Sequence, residues 1–67
     1  MEEITLFFDN AQERSEDVIQ CIMDLVPCKA KITEDNTGIY IKKSYSNDEE
    51  FDEIKKVIDK YDLMEIY

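Results

Sequence analysis

The residues best equipped for chemistry in this chain are carboxylates. The segment Asp48-Glu49-Glu50-Phe51-Asp52-Glu53 gathers five acids around one phenylalanine, and Glu13, Glu16 and Asp17 form a second group. Asp24 and Asp59 extend the series. Such a cluster either collects a hard cation or presents a negative field to a basic partner. For a dedicated Mg²⁺ or Ca²⁺ site, positions 48–53 lack the turn glycine and the rhythm of oxygen ligands. Other chemistries fall away quickly. There is no histidine, so a conventional Ser-His or Cys-His nucleophilic pair is excluded. Cys21 and Cys28 are too far apart for a CxxC motif and have no histidine to complete a zinc set. They read as two reduced, partly buried thiols, with a Cys21–Cys28 disulfide as the alternative. No Gly-rich phosphate loop or EF-hand spacing is present. The expectation is a protein that is not an enzyme and holds no metal and no cofactor.

The acids are interleaved with a regular apolar pattern. Ile4-Thr5-Leu6-Phe7-Phe8 alternates as a strand, with Ile4, Leu6 and Phe8 on one side. A helix follows, capped by Asn10 or Ser15, with an apolar stripe of Val18, Ile19, Ile22, Leu25 and Val26. Pro27 ends it. Cys28 to Thr33 alternates again, apolar on one face and basic on the other. Glu34 to Gly38 forms a turn, with the only glycine expected at a positive φ. Ile39 to Lys43 is the third strand, paired to the second as a hairpin. Ser46 with Glu49 is a capping-box signature, with Asn47 or Asp48 as alternative caps. Phe51, Ile54, Val57, Ile58 and Tyr61 make the stripe of a second helix, and Asp52 and Lys56 sit at a favourable i,i+4 spacing. Leu63 to Tyr67 reads as a short last strand.

The order βαββαβ predicts an α+β fold, the ferredoxin-like two-layer sandwich. Its antiparallel sheet has the spatial order 4-1-3-2 and both helices on one face. The runner-up is βαββα with a long last helix. At 67 residues the chain is one domain and marginal alone, burying roughly 60% of its unfolded surface. In the predicted fold the two helices begin at opposite ends. One pole therefore collects Asp9, Glu13, Glu16, Asp17, Glu34 and Asp35, and the other Glu2, Glu3 and positions 48–53. Lys29, Lys31 and Lys42 should leave the open sheet face, beside Phe7, Tyr40, Leu63 and Tyr67. This uncovered group reads either as ordinary surface aromatics with lysine stems packed over them or as a homodimer or partner interface. Aromatics there also suggest a base-stacking platform, but the RNP pattern is missing.

Seventeen Asp or Glu against eight Lys or Arg leave a formal net charge of -9. That charge opposes phosphate binding, so no direct contact with nucleic acid is expected. Nor is a membrane partner, because no segment approaches ~20 apolar residues. With an acidic start at Met1-Glu2-Glu3, the expected location is the cytoplasm. Two families of this topology are excluded. Heavy-metal-binding domains need a CxxC in the loop spanning Asp9 to Ser15, and acylphosphatases need a Gly- and Arg-bearing cradle where only Arg14 stands.

In size, acidity and lack of catalytic motifs, the chain resembles small phage-encoded DNA-mimic inhibitors. That resemblance implies a basic DNA-binding protein as partner: a nucleoid protein of the HU type, a restriction or CRISPR effector, or a repair glycosylase. The expected contact residues are Glu13, Glu16, Asp17, Asp24, Asp48, Glu49, Glu50, Asp52, Glu53 and Asp59. The alternative is a small interaction or regulatory subunit that docks through its open sheet face.

Overall fold

The computed structural model describes residues 2–35 and 37–66. Its elements are β1 (Glu2–Asp9), α1 (Ser15–Asp24), β2 (Lys29–Ile32), β3 (Gly38–Tyr45), α2 (Asp48–Tyr61) and β4 (Met64–Ile66). The strands form one antiparallel sheet in the order β2-β3-β1-β4. The central ladder pairs β1 with β3 from Glu2 opposite Tyr45 to Asp9 opposite Gly38. Both strands outrun their apolar segments, because ladder hydrogen bonds do not require apolar side chains. At the far end a polar contact takes over: the Tyr45 hydroxyl donates to the Glu2 carboxylate at 2.7 Å.

Alternation along the ladder sends Leu6 and Phe8 of β1 and Ile39 and Ile41 of β3 to one side. There they form a single buried cluster with Val18, Cys21 and Leu25 around α1, Ile54 and Tyr61 of α2, and Leu63. Burying an aliphatic or aromatic side chain of this size is worth roughly 1.5–3 kcal/mol, so these few residues supply most of the apolar stabilisation.

The helices start and stop by different means. Asn47 caps α2, its side chain accepting from the Glu50 amide at 2.9 Å, while the Glu50 carboxylate accepts from the Ser46 amide at 2.7 Å. The capping pair is therefore Asn47 with Glu50, one residue beyond Ser46 with Glu49. At the other end Asp62 adopts the left-handed conformation, φ 56°, and the Leu63 amide reaches back to the Ile58 carbonyl at 3.0 Å. Neither Asn10 nor Ser15 caps α1. Asn10 is itself left-handed (φ 56°), and its carbonyl accepts from the Glu13 and Arg14 amides in a turn that leads into the helix. Arg14 occupies the cap position with no side-chain cap.

Four expectations are corrected here. Leu63, expected on the open face, is only 7% exposed and belongs to the core. The left-handed turn at Asp62 delays β4 to Met64, and a one-residue shift in a strand exchanges its faces. Met64 and Ile66 take the open side instead, paired with Phe7 and Thr5. Tyr67, assigned to the same face, lies outside the described residues. On α1 the buried side is Val18, Cys21 and Leu25, while Ile19 and Val26 are 58% and 64% exposed. The helix turns a cysteine inward and two aliphatics outward. Lys56 pairs with Glu53 at 3.2 Å rather than with Asp52.

The fourth correction concerns Gly38, whose φ is not positive. Glycine is required there by proximity. A Cβ at Gly38 would stand 2.6 Å from the Phe8 carbonyl oxygen and closer still to the ring of Phe7, which lies over the glycine. Gly38→Ala should therefore destabilise the fold by about 1–3 kcal/mol, despite the smaller opposing gain from a stiffer unfolded chain. Urea unfolding monitored by circular dichroism should show a lower midpoint at unchanged slope. An unchanged or higher midpoint would show that the strand end has room.

Candidate functional site

The acids expected to contact a partner divide into two groups by what they already bind. Asp24, Glu50, Asp17 and Glu53 are engaged within the chain. Asp24, at the end of α1, accepts from the Tyr61 hydroxyl at 2.8 Å and from the Lys60 ammonium at 3.3 Å. Tyr61 in turn accepts at its carbonyl from the Arg14 guanidinium, 2.9 Å away. The same guanidinium lies 4.4 Å from the centre of the Phe8 ring and 3.4 Å from Asp17. Tyr61 is thus tied to both ends of α1. The hydroxyl of Tyr61, helped by Lys60, holds the Asp24 carboxyl below its ordinary value of 3.8. Burial, with the Asp24 charge, pushes the Tyr61 phenol up. Glu50 is part of the α2 cap, and Glu53 pairs with Lys56 in an exposed contact worth little.

The second group is Glu13, Glu16, Asp48, Glu49, Asp52 and Asp59. All six are exposed, and none has an ion pair or a side-chain hydrogen bond among the described residues. Glu13 and Glu16 stand at the start of α1, and Asp48 and Glu49 at the start of α2. The start of α1 meets the end of α2 through Arg14 and Tyr61. The two acidic starts are therefore separated by the length of α2, about 21 Å at 1.5 Å per residue. The body carrying them measures 33 × 20 × 18 Å. Among the described residues no three carboxylates or thiols converge to hold a metal ion.

The other side of the sheet is different in character. Phe7 and Tyr40 are cross-strand neighbours with ring centres 5.0 Å apart. Met64 lies beyond Phe7, while Lys31 pairs with Tyr40 and Lys29 with Lys42. A groove of about 1050 Å³ runs between α2, the α1–β2 loop and β3. Of the five lysines that line it, Lys43 donates to the Pro27 carbonyl at 3.0 Å and Lys56 and Lys60 are paired as described, while Lys29 and Lys42 have no ion pair among the described residues.

The thiols are poor nucleophiles. Burial, with the Asp24 charge, raises Cys21 to about 11, and burial raises Cys28 although Lys43 pulls the other way. Both stay protonated near neutral pH, and both are free of a disulfide. Among the described residues no helix is long and apolar enough to cross a membrane.

Sequence reasoning placed Asp24 among the partner contacts and missed that it braces the helices. Spacing alone does not pair positions 24 and 61. Exposed Met64 and Ile66 were likewise missed, though their alternation with Leu63 was visible. The chain matches no known family model, and no similarity to a curated protein or a solved structure is found.

The Asp24–Tyr61 contact carries a pH signature. Because the folded carboxyl titrates below its unfolded value, its stabilising effect is complete above the ordinary value of 3.8. It is lost as pH falls through the lower folded value. In Tyr61→Phe the Asp24 carboxyl should move up toward 3.8, read by NMR titration. The loss of stability on acidification should shrink in the same variant. An Asp24 titration identical in wild type and variant would contradict the assignment.

Proposed function

We propose that this domain is a ferredoxin-like binding module, with both helices on one face, that occupies the basic DNA-binding surface of a partner protein in competition with DNA. The observation that carries the reading is the set of six unpaired, exposed carboxylates at the two helix starts and along α2. A DNA-binding protein draws much of its affinity from Lys and Arg placed against phosphates, without regard to sequence. A rigid body bearing separated carboxylates satisfies the same bases with no catalytic group. The long axis of 33 Å is close to one turn of duplex, about 34–36 Å, so its carboxylates span a comparable stretch of a basic groove. The shared core of β1, β3, α1 and α2 supports the ferredoxin-like assignment. The small size and acidity that suggested phage DNA-mimic inhibitors support the choice of partner.

The free acids and the engaged acids should behave differently. Each exposed charge pair is worth ~0.2–1 kcal/mol, so single substitutions should change affinity by no more than about fivefold. Combined Asp48→Lys, Glu49→Lys and Asp52→Lys should weaken binding progressively, and adding Glu13→Lys and Glu16→Lys should weaken it further. Asp24→Asn should act mainly through stability. The test uses a basic DNA-binding protein, first a nucleoid protein of the HU type and then proteins captured from a bacterial lysate. Fluorescent duplex DNA is displaced from it by this protein across a salt series. Displacement should fall steeply with salt. Simultaneous, independent binding of DNA and this protein to every partner tested would refute the reading.

A further inference from the structure

Two of the surfaces left uncovered by this fold differ in the charge that borders them. The first is the sheet face turned from the core. There Phe7 and Tyr40 adjoin Met64 and Ile66, the last three of which are exposed. On the β2 side of this patch stand Lys29, Lys31 and Lys42, while Glu3 and Asp9 of β1 share the face toward its two ends. Lys29 is directly opposite Lys42, an arrangement of like charges that costs stability. None of the three lysines has an ion pair among the described residues, in a chain where acids outnumber bases 17 to 8. The second surface is the outer side of α1. Ile19 and Met23, one turn apart, are 58% and 62% exposed, and Val26 follows just past the helix end. Glu16 lies on the same side, one turn before Ile19. The described residues of α2 expose no large apolar side chain, so only α1 joins an apolar stripe to a free carboxylate, Glu16.

We infer that the outer face of α1 in one copy docks on the open sheet face of a second copy. Ile19 and Met23 cover the Phe7–Tyr40–Met64–Ile66 patch, and Glu16 comes to the lysine side. A helix of ten residues is about 15 Å long, and four strands at about 4.8 Å spacing are about as wide, so the two surfaces match in size. Sheet-on-sheet pairing is the poorer arrangement. It brings two lysine trios into one interface with only Glu3 and Asp9 of β1 on that face and no helix carboxylate to meet them. The contact is heterologous: each copy offers α1 to one neighbour and its sheet to another, which builds a ring or a chain. The inference is independent of competition with DNA, because Met23→Lys disrupts it while leaving every carboxylate in place.

The experiment is sedimentation of the whole chain over a range of concentrations at about 0.15 M salt. There the Debye length of about 8 Å screens repulsion between the bodies but spares close contacts. The wild-type mass should rise past that of a dimer. Lys31→Glu with Lys42→Glu disables the sheet, and Met23→Lys disables the helix; each variant alone should be monomeric. Mixed in equal amounts they should form a 1:1 dimer that grows no further, because one retains a good helix face and the other a good sheet. Circular dichroism checks that both are folded, and Ile19→Lys replaces Met23→Lys if the latter is not. A wild type that stays monomeric up to about 1 mM overturns the inference. So does a mixture that stays monomeric, or a variant that associates like the wild type.

Discussion

The two helices of this small domain are joined by a polar brace centred on Tyr61, with Lys60 beside it on Asp24. Tyr61 is buried at the end of α2, packs near Phe8, and is held from both sides by α1: its carbonyl by Arg14, its hydroxyl by Asp24. Together with the apolar cluster that both helices share, this polar brace aligns them over the sheet. It also explains why Arg14, which carries no cap bond of its own, occupies the start of α1. Its guanidinium connects the helix start to the ring of Phe8 and to the last turn of α2. Positions of the free carboxylates at the two helix starts follow from that alignment.

Charge in this protein is sorted rather than spread. Carboxylates near a structural task are consumed by it: Asp24 in the brace, Glu50 in the α2 cap, Glu2 at the end of the central ladder. What remains among the described residues is mainly acids of the helices and helix starts, with Glu3 on β1 and Glu34 in the hairpin turn besides, and three lysines of the β2–β3 hairpin, none of them in an ion pair. A net charge of -9 works against compactness, so leaving both sets unpaired is costly. Recognition of a basic groove by the first set and of an acidic helix by the second are the uses the geometry supports.

Much of the architecture was legible in the sequence because it rests on local periodicity. The alternation of Leu6 with Phe8 and of Ile39 with Ile41 identified β1 and β3, and the stripe from Ile54 to Tyr61 identified α2. The errors came where a local pattern had two solutions. Val18, Ile19, Ile22, Leu25 and Val26 fit a helix stripe, but the helix could rotate to bury Cys21 and expose Ile19. Leu63 and Met64 could each open β4, and the left-handed Asp62 decided between them. Gly38 read as a turn glycine, and its backbone angle and the closeness of the Phe7 ring and the Phe8 carbonyl show otherwise. For the site, types and exposure of the acids were legible, but their division into engaged and free was not. That division depends on contacts such as Asp24 with Tyr61, made across the fold.

The short outer strands bear on how the molecule avoids the usual fate of open sheets. At one edge β2 has four residues, all exposed, two of them lysines; at the other, β4 has three. Short, charged borders give an incoming strand little backbone to pair with. Lateral extension into a continuous sheet, the route to fibrillar aggregation, is therefore discouraged at both margins, which leaves the faces as the more open route to assembly.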